Sequence, residues 1–126
     1  MKLSSCETGT APLPVGPYSQ AIWCADMLFI SGQIPLDPAT GDVAGTTIAS
    51  QARQALANLL AICASQGLSS RSLVKTTVYL RSMDDFGGFN AVYASMLDDA
   101  RPARSVAAVS GLPKNVLIEI EAIACR

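Results

Sequence analysis

Apolar positions along the chain recur first at strand spacing and then at helical spacing, and the switches divide it into elements. From Tyr18 to Cys24 and from Met27 to Ile34, β-branched and aromatic residues dominate, with Ala25-Asp26 as a tight turn between them; this predicts a hairpin. Leu36-Asp37-Pro38-Ala39-Thr40-Gly41-Asp42 is a dense turn signal. From about Thr47 to Gln66 the period lengthens. Ile48, Ala52, Leu56, Leu59, Leu60 and Cys63 form one apolar stripe, and Arg53, Gln54 and Asn58 fall off it. Thr46 or Thr47 can cap the start of this helix, and Gly67 stands where a left-handed C-terminal cap belongs. Leu73 to Leu80 reads as a strand. Ser82, with Asp85 three residues later, opens a second helix whose one face carries Phe86, Phe89, Tyr93, Met96 and Leu97. Gly87-Gly88 weakens that helix by roughly 1 kcal/mol per glycine, and Pro102 ends it. Arg104 to Val109 and Val116 to Cys125 are two further strands, joined through Gly111-Leu112-Pro113-Lys114-Asn115.

The predicted order is β-β-α-β-α-β-β in a single domain, 1–126. The lead-in arm, 1–16, is irregular because Gly9 to Pro17 is rich in Pro and Gly. Strands flanking crossover helices imply an α+β sandwich, with both helices on one face of a mixed sheet. Nothing in the chain covers the other face, which is therefore the expected subunit interface.

Composition narrows the chemistry. The chain has 126 residues, half of them hydrophobic, with a net charge of −1 and no histidine. No Ser-His-Asp or Cys-His relay and no histidine-based zinc site can exist. General acid-base work would fall to Asp, Glu, Lys, Tyr or Cys. The near-neutral balance, with no Lys/Arg cluster, argues against nucleic acid as the main partner. The longest uncharged apolar stretch, Met27 to Leu36, is far short of the ~20 residues a membrane helix needs. Cys6, Cys24, Cys63 and Cys125 form no C-x-x-C pair. The polar N-terminus shows no secretory signal core, so a cytoplasmic location with reduced thiols is expected. Cys63 reads as a small core hydrophobe.

Two strands carry charges inside apolar runs. In Val116 to Ile123 the even positions are uniformly apolar, while Glu119 and Glu121 fall on the odd, outward face. A solvated strand face explains both carboxylates. Arg104, leading an apolar strand, reads equally as a surface charge or an ion pair. Were Arg104 and Glu119 to share a sheet face, they would set a cation beside a carboxylate at the expected seam, a place for a small carboxylate and a water. Gly32, inside a strand next to Ser31, marks either a bulge or the close approach of a ligand or another backbone. Tyr18 can be an edge contact, and Asn90 can bond a neighbouring loop.

These residues also carry a resemblance. Gly16-Pro17-Tyr18-Ser19-Gln20, Phe29 to Pro35, Gln51-Ala52-Arg53-Gln54 with Asn58, Val74 to Leu80, Phe89 to Tyr93, Arg101-Pro102-Ala103-Arg104-Ser105 and Leu112 through Ala124 run in the order of the RidA (YjgF) family, also labelled endoribonuclease L-PSP. The chain resembles that family over essentially its whole length. The resemblance implies a chorismate-mutase-like α+β subunit in a homotrimer, with three clefts between subunits and neither cofactor nor metal. It implies hydrolytic deamination of 2-imino and 2-enamino acids, such as 2-aminoacrylate and 2-iminobutanoate, to 2-keto acids and ammonia. On this resemblance Arg104 grips the substrate carboxylate and Glu119 positions or activates water, while Tyr18, Ser31, Gly32 and Asn90 line the cleft. The position two after the motif arginine, Val106, is often Cys, Ser or Thr in relatives; a backbone contact survives there and a side-chain contact does not. Ala107 and Ala108 replace larger residues, and the loop before Arg101 is short. These departures bear on substrate range. Two other readings stand beside this one: a small-metabolite-binding or holdase-type trimer without catalysis, supported by the apolar content, and an endoribonuclease or translation inhibitor, disfavoured by the missing histidine and basic stripe.

Overall fold

A computed structural model of the chain describes residues 2–126; Met1, the first residue of the expected arm, lies outside the described residues. In chain order the elements are β1 (Leu3–Cys6), β2 (Ala21–Cys24), β3 (Met27–Gln33), α1 (Ile48–Ser65), β4 (Leu73–Leu80), α2 (Phe86–Leu97), β5 (Ala103–Ala108) and β6 (Ile118–Cys125), with three short 3-10 turns between them. The strands form one six-stranded sheet in the order β1-β2-β3-β6-β4-β5. Among the described residues only β4 and β5, joined by the crossover helix α2, run parallel; the other pairs are antiparallel.

Local sequence accounts for the elements. Thr47 caps α1, its hydroxyl accepting from the Ser50 N–H while Ser50 Oγ reaches back to the Thr47 N–H. At the other end Gly67, at φ 74°, donates to the Ala64 carbonyl, and the Leu68 N–H reaches back to Cys63. This double closure needs a residue that enters the left-handed region without strain. The helix buries Ala52, Ala55, Leu56, Leu59, Ile62 and Cys63. From α2, Phe89, Val92, Tyr93 and Leu97 join the same core, which Leu28, Ile30, Val78, Leu80, Ile118 and Ile120 complete from the sheet. Truncating any of these large side chains to Ala would cost about 2–5 kcal/mol. Alternation on β6 is complete, with Ile118, Ile120, Ala122 and Ala124 buried under the helices. No helix is long and apolar enough to cross a membrane among the described residues.

Four sequence readings need correction. The order gains a strand, β1, inside the expected arm, so the chain runs β-β-β-α-β-α-β-β. Its Leu-Ser-Ser-Cys sequence is exposed along most of its length, so burial leaves no alternation to read; pairing with β2 makes it a strand. Tyr18, Ser19 and Gln20 precede β2 instead of opening it. Gln20 is buried because its amide staples the arm. Its Nε2 donates to the carbonyls of Thr8, Ala11 and Pro12, and its Oε1 accepts from the Thr8 N–H at 2.7 Å. Asn58, expected off the buried face of α1, lies within it. There its Nδ2 donates to the carbonyls of Ile34 and Leu36, satisfying a buried stretch of loop backbone. Finally, β6 opens at Ile118, two residues later than expected, because a 3-10 turn at Pro113–Asn115 feeds into Val116.

Among the described residues, nothing covers the face of the sheet away from the helices. Phe29, about half exposed, sits on it beside a concavity of about 460 Å³ lined by Ile22, Ser31, Lys75, Thr77, Glu121 and Ile123.

Candidate functional site

The structure separates the expected site residues into two groups on opposite faces of the sheet. In the β4–β5 register Arg104 lies beside Thr76, and Val106 beside Val78. Thr76 and Val78 are wholly buried on the helix side, so Arg104 and Val106 point to that side too. Glu119 belongs to the opposite alternation of β6. The shared face is therefore corrected: one chain does not bring Arg104 and Glu119 together. The cause is parity, since Thr76 pairs with Arg104 on one flank and with Ala122, an even position of β6, on the other.

The first group surrounds Arg104 at the sheet edge. Its guanidinium donates through Nη1 to Asn90 Oδ1 of α2 at 2.7 Å. Its Cζ lies 5.7, 5.6 and 4.9 Å from the ring centroids of Phe86, Phe89 and Tyr93. The apolar stripe of α2, read as core, thus also builds an aromatic wall that fixes a cation. Tyr93 is itself tied down, its hydroxyl 2.7 Å from Thr76 Oγ1 in the buried interior. Arg104 is half-buried, yet among the described residues no carboxylate lies within ion-pair distance of it. Beside it lies a concavity of about 260 Å³, lined by Asn90, Tyr93, Ala94, Arg101, Pro102 and Arg104. Val106, on the same side, packs against the core.

The second group gathers around Glu119. Between Ile30 and Gln33 the β3–β6 register shifts, which puts a bulge at Ser31-Gly32. The bulge reading of Gly32 holds, and what approaches it closely is neither a ligand nor another backbone but a side chain, because a Cβ there would collide with the Glu119 carboxylate. Glycine is what lets that carboxylate lie against the β3 backbone. Ser31 anchors the bulge: its hydroxyl donates to the Ser19 carbonyl at 2.6 Å and its N–H to Gln20 at 2.9 Å. Tyr18, half exposed, lines a small concavity of about 90 Å³ with Gly32, Leu36, Pro113 and Lys114. Burial, and then the charge of Glu121, push the Glu119 carboxyl above its ordinary titration range. Glu119 also lines an open concavity of about 480 Å³ with Tyr79, Val109, Gly111, Leu112, Pro113 and Glu121.

Three amides that the pattern did not mark as buried position these groups. Gln20 holds the arm that carries Tyr18, and Asn58 holds the Ile34–Leu36 backbone that follows Gly32. Gln51 spans from the Gly45 carbonyl to the Leu117 N–H, fixing the entry to β6 just before Glu119. A sequence signal did exist: each is a polar residue inside or beside an apolar run, which calls for a buried partner. Among the described residues no group of three or more Cys, Asp or Glu could hold a metal ion.

With this geometry in hand, known proteins decide the family. The family profile described as endoribonuclease L-PSP matches residues 8–126. The chain belongs to the RidA/YjgF family. It is 52% identical to a RutC family protein of Pyrococcus horikoshii, over 94% of both chains. It is 46% identical to the 2-iminobutanoate/2-iminopropanoate deaminase of Salmonella typhimurium, again over 94% of both. Among solved structures, the YjgF gene product of E. coli superposes with a TM-score of 0.93 at 44% identity, and E. coli TdcF with bound serine with 0.93 at 41%; each match covers 98% of both chains. The chain shares with these neighbours a chorismate-mutase-like α+β fold, with two helices on a mixed six-stranded sheet.

Proposed function

We propose that this RidA-family chain is the subunit of a homotrimeric, cofactor-independent hydrolase that converts 2-imino and 2-enamino acids to 2-keto acids and ammonia. Each cleft combines Arg104 of one subunit with Glu119 of the next. The observation that carries this reading is the state of Arg104. A half-buried guanidinium, braced by three rings and Asn90, and with no carboxylate partner among the described residues is suited to take one from a ligand. The Salmonella relative supports the reaction, and the serine bound to TdcF supports a small amino-acid-like ligand.

A protonated imine is already electrophilic, so positioning and proton transfer suffice. Arg104 holds the substrate carboxylate with paired hydrogen bonds. Glu119 takes a proton from water as the oxygen bonds to C2 and the C=N electron pair moves onto nitrogen. It then hands that proton to nitrogen, accepts the hydroxyl proton as the C–N bond breaks, and passes it to the departing ammonia, which leaves as ammonium and restores the carboxylate. A 2-enamino acid enters the same path once C3 is protonated. Tyr18, Ser31, Gly32, Asn90 and the backbone at Val106 line the cleft. The apolar face around Phe29 is where the subunits meet.

The test is subunit mixing. Arg104→Ala and Glu119→Gln trimers are each expected to keep about a hundredth or less of the wild-type activity toward 2-aminoacrylate or 2-iminobutanoate generated in situ, with keto acid as the readout. If each cleft draws on two chains, unfolding and reassembling the two variants in equal amounts restores about a quarter of the wild-type sites. No recovery, with trimers reformed, would break the composite site. Full activity of either variant alone would remove that residue from the mechanism.

A further inference from the structure

On the open face, Glu119 has a neighbourhood that the proposed reaction does not use. Tyr79 of β4 pairs with Glu119 in the register, yet its hydroxyl donates to Oε1 of Glu121, at 2.5 Å. Glu121 is the next outward residue along β6. Two positions on one strand face stand roughly 7 Å apart, close enough for the two carboxylates to feel each other where water is partly excluded. We infer that Glu121, clamped by Tyr79, is a positioning residue for Glu119: its fixed charge strengthens Glu119 as the acceptor of the water proton. This rests on the reaction proposed above.

The other charges near the pair leave it intact. Lys75 shares a concavity with Glu121, but it lies opposite Ile123 in the register, beyond Glu121 from Glu119. Arg81, just past β4, spends Nη1 on the backbone oxygen and Oδ1 of Asn115. Lys114 lines the Tyr18 concavity and not the one that Glu119 shares with Glu121. From β3 the group facing Glu119 is Gly32, which brings no charge. Arg104 of the same chain lies on the other face, while the Arg104 that the proposed cleft brings from the next subunit acts on Glu119 in the opposite, downward direction, so the charge of Glu121 offsets it. Burial and Glu121 act on the Glu119 carboxyl in the same direction, upward. The Tyr79 hydroxyl is itself pushed up, first by its bond to Glu121 and then by burial and the two carboxylates, so it stays a donor at neutral pH.

Glu121→Gln tests this, because the amide oxygen can still accept from Tyr79 while the charge is gone. The titration of Glu119 is followed by carbon NMR of glutamate-labelled protein without substrate, and the kcat–pH profile by keto-acid release. Glu121→Gln is expected to move the Glu119 midpoint and the acid limb of kcat to lower pH by about half a unit or more, with KM unchanged within about twofold. Tyr79→Phe, which leaves the charge but unclamps it, is expected to shift both in the same direction by less. An unmoved Glu119 midpoint in folded Glu121→Gln protein overturns the coupling, and a moved midpoint with a wild-type kcat profile overturns its role in the reaction. Wild-type protein with no imine hydrolysis would instead defeat the proposed function, while the NMR titration still decides the coupling.

Discussion

The Arg104 and Glu119 regions share one sheet and differ in almost everything else. Arg104 sits under a helix, at a strand edge, walled by rings and bonded to one amide. Glu119 sits on the bare face, over a glycine bulge, among a phenol and a second carboxylate. One region is built to hold a cation still while leaving it without a counter-charge. The other is built to make a carboxylate hold its proton more tightly. The contrast teaches that the pleat, with its strict two-residue alternation, sorts the two side chains onto opposite faces of the sheet, and the proposed function asks a second chain to reunite them.

That contrast can be broken at graded cost. Arg104→Ala is expected to lower kcat/KM by roughly 10²- to 10³-fold with the melting temperature near wild type, because an ion-pair partner of the ligand is removed. Wild-type turnover would detach the helix-side region from function. At the bulge, Gly32→Ala forces the Glu119 carboxylate aside, and kcat should fall by about 10²-fold with KM little altered. A change in KM alone would mean that Gly32 serves binding. Asn90→Ala removes the hydrogen bond that aims Arg104 and should cost roughly 10-fold in kcat/KM. Asn58→Ala acts on neither charge. It strands two loop carbonyls and should lower stability by about 1–3 kcal/mol in urea unfolding, with the activity of folded protein preserved.

The smallest effect concerns pH. The folded chain binds the Glu119 proton more tightly than the unfolded chain, so this group contributes stability in acid and loses it as pH rises through the raised folded value. Glu119→Gln is permanently neutral. It should therefore raise the melting temperature at neutral pH and leave it unchanged below about pH 4. A lower melting temperature at neutral pH would show the ionised carboxylate to be stabilising.

Much of this was legible in the sequence because burial writes periodicity. The α1 stripe, its Thr47 and Gly67 ends, and the β6 alternation all follow from which positions face the core. β1 was not legible, since an exposed edge strand held by backbone pairing has no pattern to show. Glu119, Gly32 and Arg104 stood out as a carboxylate, a glycine and a cation in apolar strands. Their mutual arrangement did not, because facing depends on how strands distant in sequence pair. Asn58, Gln20 and Gln51 were obscured for a related reason: a buried amide resembles a surface one until its loop partners are known.

The division of Arg104 and Glu119 between faces has a consequence for anyone handling the protein. If a working cleft exists only where two chains touch, catalysis becomes a direct gauge of assembly. Specific activity should fade on dilution as subunits part, even while every chain keeps its fold, and return on concentration.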